Sequence, residues 1–302
     1  MAQREQRHLG DDAAPMSRCQ VAERACDLGS VADCLFMFCL DDAGVVRVKL
    51  YELTDVQWWL VGPVFDPKGR RGPRARRSRL TMVVAVLWLA RSGCQWRELP
   101  PRFGPWPAVW AQWRRWRGMG VWVQAMFRLR RVARVQAGRD PEPSLLMVDA
   151  QTVKGRRAGP GFHESGGRGG RARGTKRTLV VDYLGLPVAA VATSARPHDA
   201  RVGRELLERV LPGQPRVSTV MGDRGYRSMA HRLASVHGVM VEIKYVEAGQ
   251  GFGPIQPLWK VEDAFAKVGA WRRMSRCFEG TAVAATAWLQ VACVGVLLAA
   301  TR

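Results

Sequence analysis

From Leu145 onward, apolar runs of strand length alternate with stretches of helical period, and this order constrains the fold more than any other feature of the chain. Residues 145–148, 178–182 and 188–193 are β-rich runs, the last two separated by a Leu184-Gly185 turn. Residues 201–211 then place Val202, Leu206 and Val210 at i, i+4 and i+8, the stripe of an amphipathic helix. A strand over 217–221, a helix over 229–236, a strand over 239–245 and a long helix from Leu258 complete the series. The pattern predicts a three-strand meander followed by alternating helices and strands, giving a mixed sheet with flanking helices.

Residues 53–136 read as helical. Thr54 with Gln57 three positions on is a capping-box signature ahead of Trp58-Trp59-Leu60-Val61, and Pro63 and Pro67 are expected to end that helix. The linker 68–79 carries seven basic residues. Helix formers fill 80–90, with Gly93 as the C-terminal stop. After Pro100-Pro101 and Pro105, a third helix is expected over about 108–117. Its Trp110, Trp113 and Trp116 should face the core, leaving Gln112, Arg114, Arg115 and Arg117 outward. Short helices with an arginine-bearing last member suit a helix-turn-helix-like DNA reader; a bundle whose arginines merely solvate one face is the alternative.

Charge favours the first. The 302 residues carry a formal net charge of +21, with pI near 10.9. Between Lys68 and Arg134 there are 17 Lys and Arg against one acid, Glu98. A balance this one-sided predicts strong, salt-sensitive attraction to phosphate backbones. The 7 cysteines show neither a CxxC pair nor zinc spacing, which predicts reduced thiols and no disulfide. Ala282–Ala300 is uncharged and long enough to cross a membrane, but its alanines point to a buried helix packed over the sheet. Domains are expected at 1–47 (an unassigned appendage), 48–137 (helical, DNA-binding) and 143–302 (catalytic).

Three carboxylates stand out against the basic background. Asp149 ends an apolar strand, Asp223 follows another and opens Asp223-Arg224-Gly225-Tyr226, and Glu262 lies on the late helix. Two acids at strand ends and one on a later helix can converge on a pair of divalent metals, the equipment for cutting and joining phosphodiester bonds.

These residues carry a resemblance. The chain is similar to the DDE transposases of the insertion-sequence-five family, within the insertion-sequence-four-like superfamily, over about 53–279. The motifs are Leu53-Thr54-Asp55-Val56-Gln57-Trp58, Ser92-Gly93-Cys94-Gln95-Trp96-Arg97-Glu98-Leu99-Pro100 and Val148-Asp149-Ala150-Gln151-Thr152-Val153-Lys154. Lys176-Arg177-Thr178-Leu179-Val180-Val181-Asp182, Gly222-Asp223-Arg224-Gly225-Tyr226 and Val261-Glu262-Asp263-Ala264-Phe265 follow in order, then Arg272-Arg273 and Phe278-Glu279.

The resemblance implies an α+β protein with a helical N-terminal module and a ribonuclease-H-like core. Asp149, Asp223 and Glu262 would be both the catalytic triad and the ligands of two Mg²⁺ or Mn²⁺ ions. DNA would be met by Arg74, Arg76, Arg77, Gln112, Arg114, Arg115, Arg117, Lys154, Lys176, Arg177, Arg224, Arg272 and Arg273. Partners would be terminal repeats and target DNA, with a homodimer in the synaptic complex, in the cytoplasm and on the nucleoid. The Gly/Arg-rich loop between Lys154 and Arg177 resembles a family loop that runs near DNA, and His198-Asp199 matches a family position near the metals. The chain departs from the family at Asp263 and Ala270, where basic residues are usual. An inactive DNA-binding relic, and a metal-dependent repair nuclease, are the other readings.

Overall fold

The computed structural model describes residues 53–66, 77–155, 164–166, 172–244 and 257–301, all of them within one compact unit, Leu40–Arg302. The expected appendage, Arg74, Arg76 and most of the Gly/Arg-rich loop lie outside the described residues.

Four helices open the described chain: α1 (Asp55–Phe65), α2 (Arg79–Ser92), α3 (Trp106–Met119) and α4 (Val121–Gln136). Thr54 and Gln57 form the expected capping box, each side chain bonded to the other's backbone N–H at 3.1 Å. Pro63 does not end α1. It sits in the last turn, where a missing N–H frees only one carbonyl, and the helix closes through the Asp66 N–H on the Gly62 carbonyl at 2.8 Å. Gly93 ends α2 as expected, in the left-handed region at φ 72°. α4 was not anticipated as a separate helix. A left-handed Gly120 (φ 65°) breaks α3 from it.

The sheet follows. Its strands are β1 (Leu145–Lys154), β2 (Glu164–Gly166), β3 (Ala172–Asp182), β4 (Pro187–Ser194), β5 (Thr219–Gly222) and β6 (Met240–Ile243). β1 runs antiparallel to β3 from Leu146↔Asp182 to Lys154↔Gly174, so both strands outrun their apolar segments. β4 pairs antiparallel along β3, beside the short β2. β5 lies parallel to β1 (Met147↔Met221), and β6 parallel to β5. The path β4-β3-β1-β5-β6 has three antiparallel strands and two added in parallel through α5 (Asp199–Val210) and α6 (Ala230–His237). This is the ribonuclease-H-like order expected from the sequence.

Alternation along the strands splits the core between two faces. Leu146, Val148, Val180 and Val220 pack with Leu206 and Leu207 of α5 and Leu233 of α6. Met147, Leu179, Val181 and Met221 pack on the other side with α7 (Trp259–Gly269) and α8 (Ala282–Ala300), and this second core is continuous with α1–α4.

α8 is long and apolar enough to cross a membrane, yet it lies inside the fold. Each residue that interrupts its apolar run has a use there. Thr286 Oγ1 accepts from the Ala192 N–H at 2.9 Å and Gln290 reaches the Ala190 carbonyl at 3.5 Å, so both bind β4 backbone. Gly295 receives the Trp271 ring, which would stand 1.8 Å from a Cβ. The Trp288 ring stacks on Trp113 of α3 at 4.9 Å.

Two arginines of α4 are buried. Arg134 donates to Asp182 at 2.6 Å, and the other Asp182 oxygen accepts from Leu184 and Leu186 N–H, so the β3–β4 turn is built around a fully enclosed carboxylate. Arg130 donates to Gln214 at 3.0 Å, and burial lowers its pKa to about 10. Removing one member of a buried pair strands the other charge. Arg134→Met is expected to cost about 3–5 kcal/mol in urea unfolding. Adding Asp182→Asn should recover part of the loss, since an amide oxygen still accepts from the turn. A loss below about 1 kcal/mol, the scale of an exposed pair, would contradict this.

Candidate functional site

Parallel register brings the first two acids together. Met147 and Met221 are partners, so Asp149, within β1, and Asp223, just past the end of β5, each stand two residues further along adjacent parallel strands. β5 stops at Gly222, and the chain turns sharply there: Asp223 Oδ1 accepts from the Gly225 N–H at 2.9 Å, capping a 3₁₀ turn over Arg224–Met229. Glu262 comes from a helix. Its helix α7 packs against β1 and β3 through Val261, Ala264, Phe265 and Val268, and Glu262 remains exposed.

The electrostatics report the convergence. Burial pushes the Asp149 carboxyl up to about 6, and the negative charges of Asp223, Asp199 and Glu262 push the same way against a backbone hydrogen bond from Ala150. Among the described residues, no three His, Cys, Asp or Glu side chains stand close enough together to grip a metal ion without moving. The donors nevertheless fit one. They are oxygen anions, suited to Mg²⁺ or Mn²⁺, and their mutual repulsion at a half-buried Asp149 is the kind a divalent cation relieves.

Asp199, expected near the metals, acts on Asp149. It opens α5, where His198 Nδ1 accepts from the Ala200 N–H at 3.3 Å as the N-cap. Its charge is met by Lys176, whose Nζ lies 2.5 Å from Asp199 Oδ1 and also reaches the Pro197 carbonyl. The sequence signal was the pair of motifs Lys176-Arg177 and His198-Asp199, whose contact only the β3–β4 pairing reveals.

Several residues expected to meet DNA have other occupations. Gln112 is buried, not outward, and accepts from Arg79 at 2.8 Å and Arg115 at 3.4 Å. Lys176 is buried against Asp199. Arg177 is buried, donates to the carbonyls of Met274 at 2.6 Å and Arg276 at 3.4 Å, and has its pKa lowered by burial. Arg273 joins Glu279 at 2.7 Å and the Cys94 carbonyl at 3.3 Å while lying over the Trp288 ring. Each anchors distant segments to one another.

The remainder face out. Arg77, Arg114, Arg115, Lys154, Arg224 and Arg272 are exposed, and Arg117 is half-buried. Trp110, expected in the core, is half-buried instead and carries the Arg114 guanidinium 4.7 Å from its ring centre. Ala111, Arg114, Arg115 and Arg117 line a shallow cleft of about 340 Å³ on α3. At the departure from the family pattern, Asp263 is paired with Lys267 at 2.7 Å, one helical turn on.

Comparison with known proteins decides the family. Residues 53–126 match a family described as a putative transposase of the IS4/5 family, and residues 140–239 match the transposase DDE domain. The chain is 39% identical over 124 residues to the uncharacterized protein y4sN of Sinorhizobium fredii, spanning 40% of this chain and 90% of that one. It is 33% identical over 135 residues to a putative transposase for insertion sequence element IS402 of Burkholderia cepacia, spanning 41% of this chain and 63% of that one.

The chain belongs to the DDE transposases of the IS4/5 type.

Among solved structures, a Mos1 transposase paired-end complex with left transposon end aligns at 14% identity over 71% of this chain and 83% of that one, with a TM-score of 0.20, too low to bear on the assignment. Two of the transposase motifs contribute structure as well as the acids. The Lys176-to-Asp182 motif supplies Lys176 to α5, Arg177 to the segment before α8, and Asp182 to α4. The Arg272-Arg273 motif ties that same segment to Cys94.

The raised Asp149 has a measurable consequence. Folding takes up a proton between its ordinary 3.8 and about 6, so metal-free stability falls as pH rises through that window. Asp149→Asn should remove this slope and leave the metal-free protein more stable than wild type at pH 7, by on the order of 1–3 kcal/mol. Urea melts of both proteins at pH 4 and pH 7 read the effect, and a variant no more stable at pH 7 would refute it.

Proposed function

We propose that this protein is a DNA transposase that binds the inverted terminal repeats of its own mobile element, cuts at the ends and joins them to target DNA. The observation that carries the reading is the meeting of Asp149, within β1, and Asp223, just past the end of the parallel β5, with the charge of Glu262 acting on Asp149. Asp149, Asp223 and Glu262 would hold two Mg²⁺ or Mn²⁺ ions. Such ions, when bound, supply an activated oxygen nucleophile and stabilise the leaving oxygen of an in-line displacement.

The chain's own contribution is position and charge. β1 and β5 fix two carboxylates through backbone hydrogen bonds, while α7 brings the third over the face of the sheet that Met147 and Leu179 share with it. The cleft on α3, with Arg114 and Arg115 exposed, offers the phosphate backbone a helix-borne cationic surface, and Arg77, Lys154, Arg224 and Arg272 extend the basic surface elsewhere. This supports assigning 48–137 to DNA binding and 143–302 to catalysis, although both belong to one packed unit. Holding two ends together calls for two copies of the site, hence a homodimer or larger assembly, working on the nucleoid in the cytoplasm.

The second reading, a DNA-binding relic, rests on Asp263 and Ala270. The Asp263–Lys267 pair cuts both ways. It neutralises the added anion beside Glu262, and it also engages Lys267, one turn further on.

The test is cleavage of a DNA duplex carrying the gene's flanking termini, with Mg²⁺ or Mn²⁺. Wild type should cut at the element boundary, and Asp149→Asn should lose at least about 10³-fold in rate, the scale set by losing a group that acts only in the transition state. Binding without cutting by wild type, with either metal, would leave the relic.

A further inference from the structure

The Ser92-Gly93-Cys94 motif at the end of α2 and the Arg272-Arg273 motif after α7 touch each other. Gly93, left-handed at φ 72°, has no side chain where a Cβ would stand 3.0 Å from the Arg272 Cβ, and Arg273 donates to the Cys94 carbonyl at 3.3 Å. Beside this seam lies a notch of about 410 Å³, lined by Trp88, Arg91, Ser92, Ala270 and Arg272.

The notch is cationic, and one of its cations is held in place. Arg91 Nη1 crosses from α2 to donate to the Ala270 carbonyl at 2.6 Å, and its guanidinium stands 5.8 Å from the centre of the Trp271 ring. That bond covers a carbonyl at the C-terminal end of α7, which on its own would repel an anion. A guanidinium presents several N–H donors in a planar fork, so others remain on Arg91. The Ser92 hydroxyl turns back to the Trp88 carbonyl at 2.8 Å, which leaves the two guanidiniums as the donors on offer. Arg272 is exposed, and among the described residues neither it nor Arg91 forms an ion pair. Their neighbours differ: Arg273 is matched by Glu279 at 2.7 Å, and Arg177 is buried on backbone carbonyls. Two unmatched like charges facing one notch repel, and an anion between them relieves the repulsion.

We propose that this notch seats a phosphate of the DNA backbone, gripped by Arg91 from the helical module and Arg272 from the segment after α7. The proposal rests on the reading of the chain as a DNA-binding transposase. Glu262 lies in the first turn of α7 and Ala270 just past its last, about 12 Å of helical rise apart. One helix thus carries an acid of the site near its start and the seat for the backbone at its end. A phosphate contact fixes register and reads no base.

Binding of the full chain to the duplex carrying the flanking termini, and to a scrambled duplex of equal length, is followed by fluorescence anisotropy in EDTA over a range of salt. The Arg272 side chain makes no hydrogen bond or ion pair among the described residues, so Arg272→Gln should melt as wild type does. It should weaken both duplexes by the same factor and reduce the slope of log K against log[salt] by about 1. Arg209→Gln, which removes an exposed charge from α5, should keep the wild-type slope. Arg91→Gln should act like Arg272→Gln, and the double variant should lose less than the two single losses combined, because both groups hold one phosphate. A wild-type slope in Arg272→Gln, or strictly additive losses, would overturn the shared seat while leaving DNA binding intact. Failure of wild type to bind either duplex would overturn the DNA reading and the seat with it. A melting temperature raised by inorganic phosphate in wild type but not in Arg272→Gln, with the DNA slope unchanged, would give the notch to free phosphate and overturn its role on DNA.

Discussion

Everything in this fold leans on one uncharged helix. α8 is apolar around its whole circumference, so it can be satisfied only by burial on all sides. The sheet takes one side of it, through β4, and the N-terminal helices take another, through the Trp113–Trp288 stack. α7 packs beside it, with Trp271 seated on Gly295. Glu262 is thereby held to the same frame as the strands that carry Asp149 and Asp223. Two of the acids are set by backbone hydrogen bonding, and the third by how tightly helices close over a glycine.

Local chemistry was legible in the sequence wherever the partner lay a few residues away. The Thr54–Gln57 box, the left-handed Gly93 and the β-β-β-α-β-α-β-α order needed only neighbours to be read. The failures share a cause. Lys176, Arg177 and Arg273 looked like hands for DNA because a basic side chain in a basic protein has no local mark of its destination. Their partners lie at Pro197 and Asp199, at Met274, and at Cys94 and Glu279. Gln112 failed similarly, since Arg79, its donor, comes from the preceding helix. α4 was hidden by its own arginines, because Arg130 and Arg134 interrupt an apolar pattern while being buried within it. β1 and β3 outran their apolar runs because pairing, once begun, continues through polar residues.

The charge pattern has a local logic different from the global one. The net charge of +21 describes attraction to a polyanion at a distance, whereas at the site itself the charges of Asp223, Asp199 and Glu262 all oppose ionisation of Asp149. Around its margin, cations are matched to particular acids: Lys176 to Asp199 and Lys267 to Asp263. Among the described residues, no ion pair is formed by Asp149, Asp223 or Glu262. An active site that must take up cations is kept anionic by pairing off only its surroundings.

The Gln57 side chain that completes the first helix cap also donates to the Leu298 carbonyl, across a separation of 241 residues. The opening helix and the last helical turn are therefore stitched by a single amide. A ribosome delivers these two segments 241 residues apart. Until the second emerges, α1 has its cap but not its seat, and the apolar faces of α1 to α4 wait for the helix that covers them. Closing so long a loop is entropically costly and slow. The protein therefore consolidates only once both segments are available, instead of domain by domain.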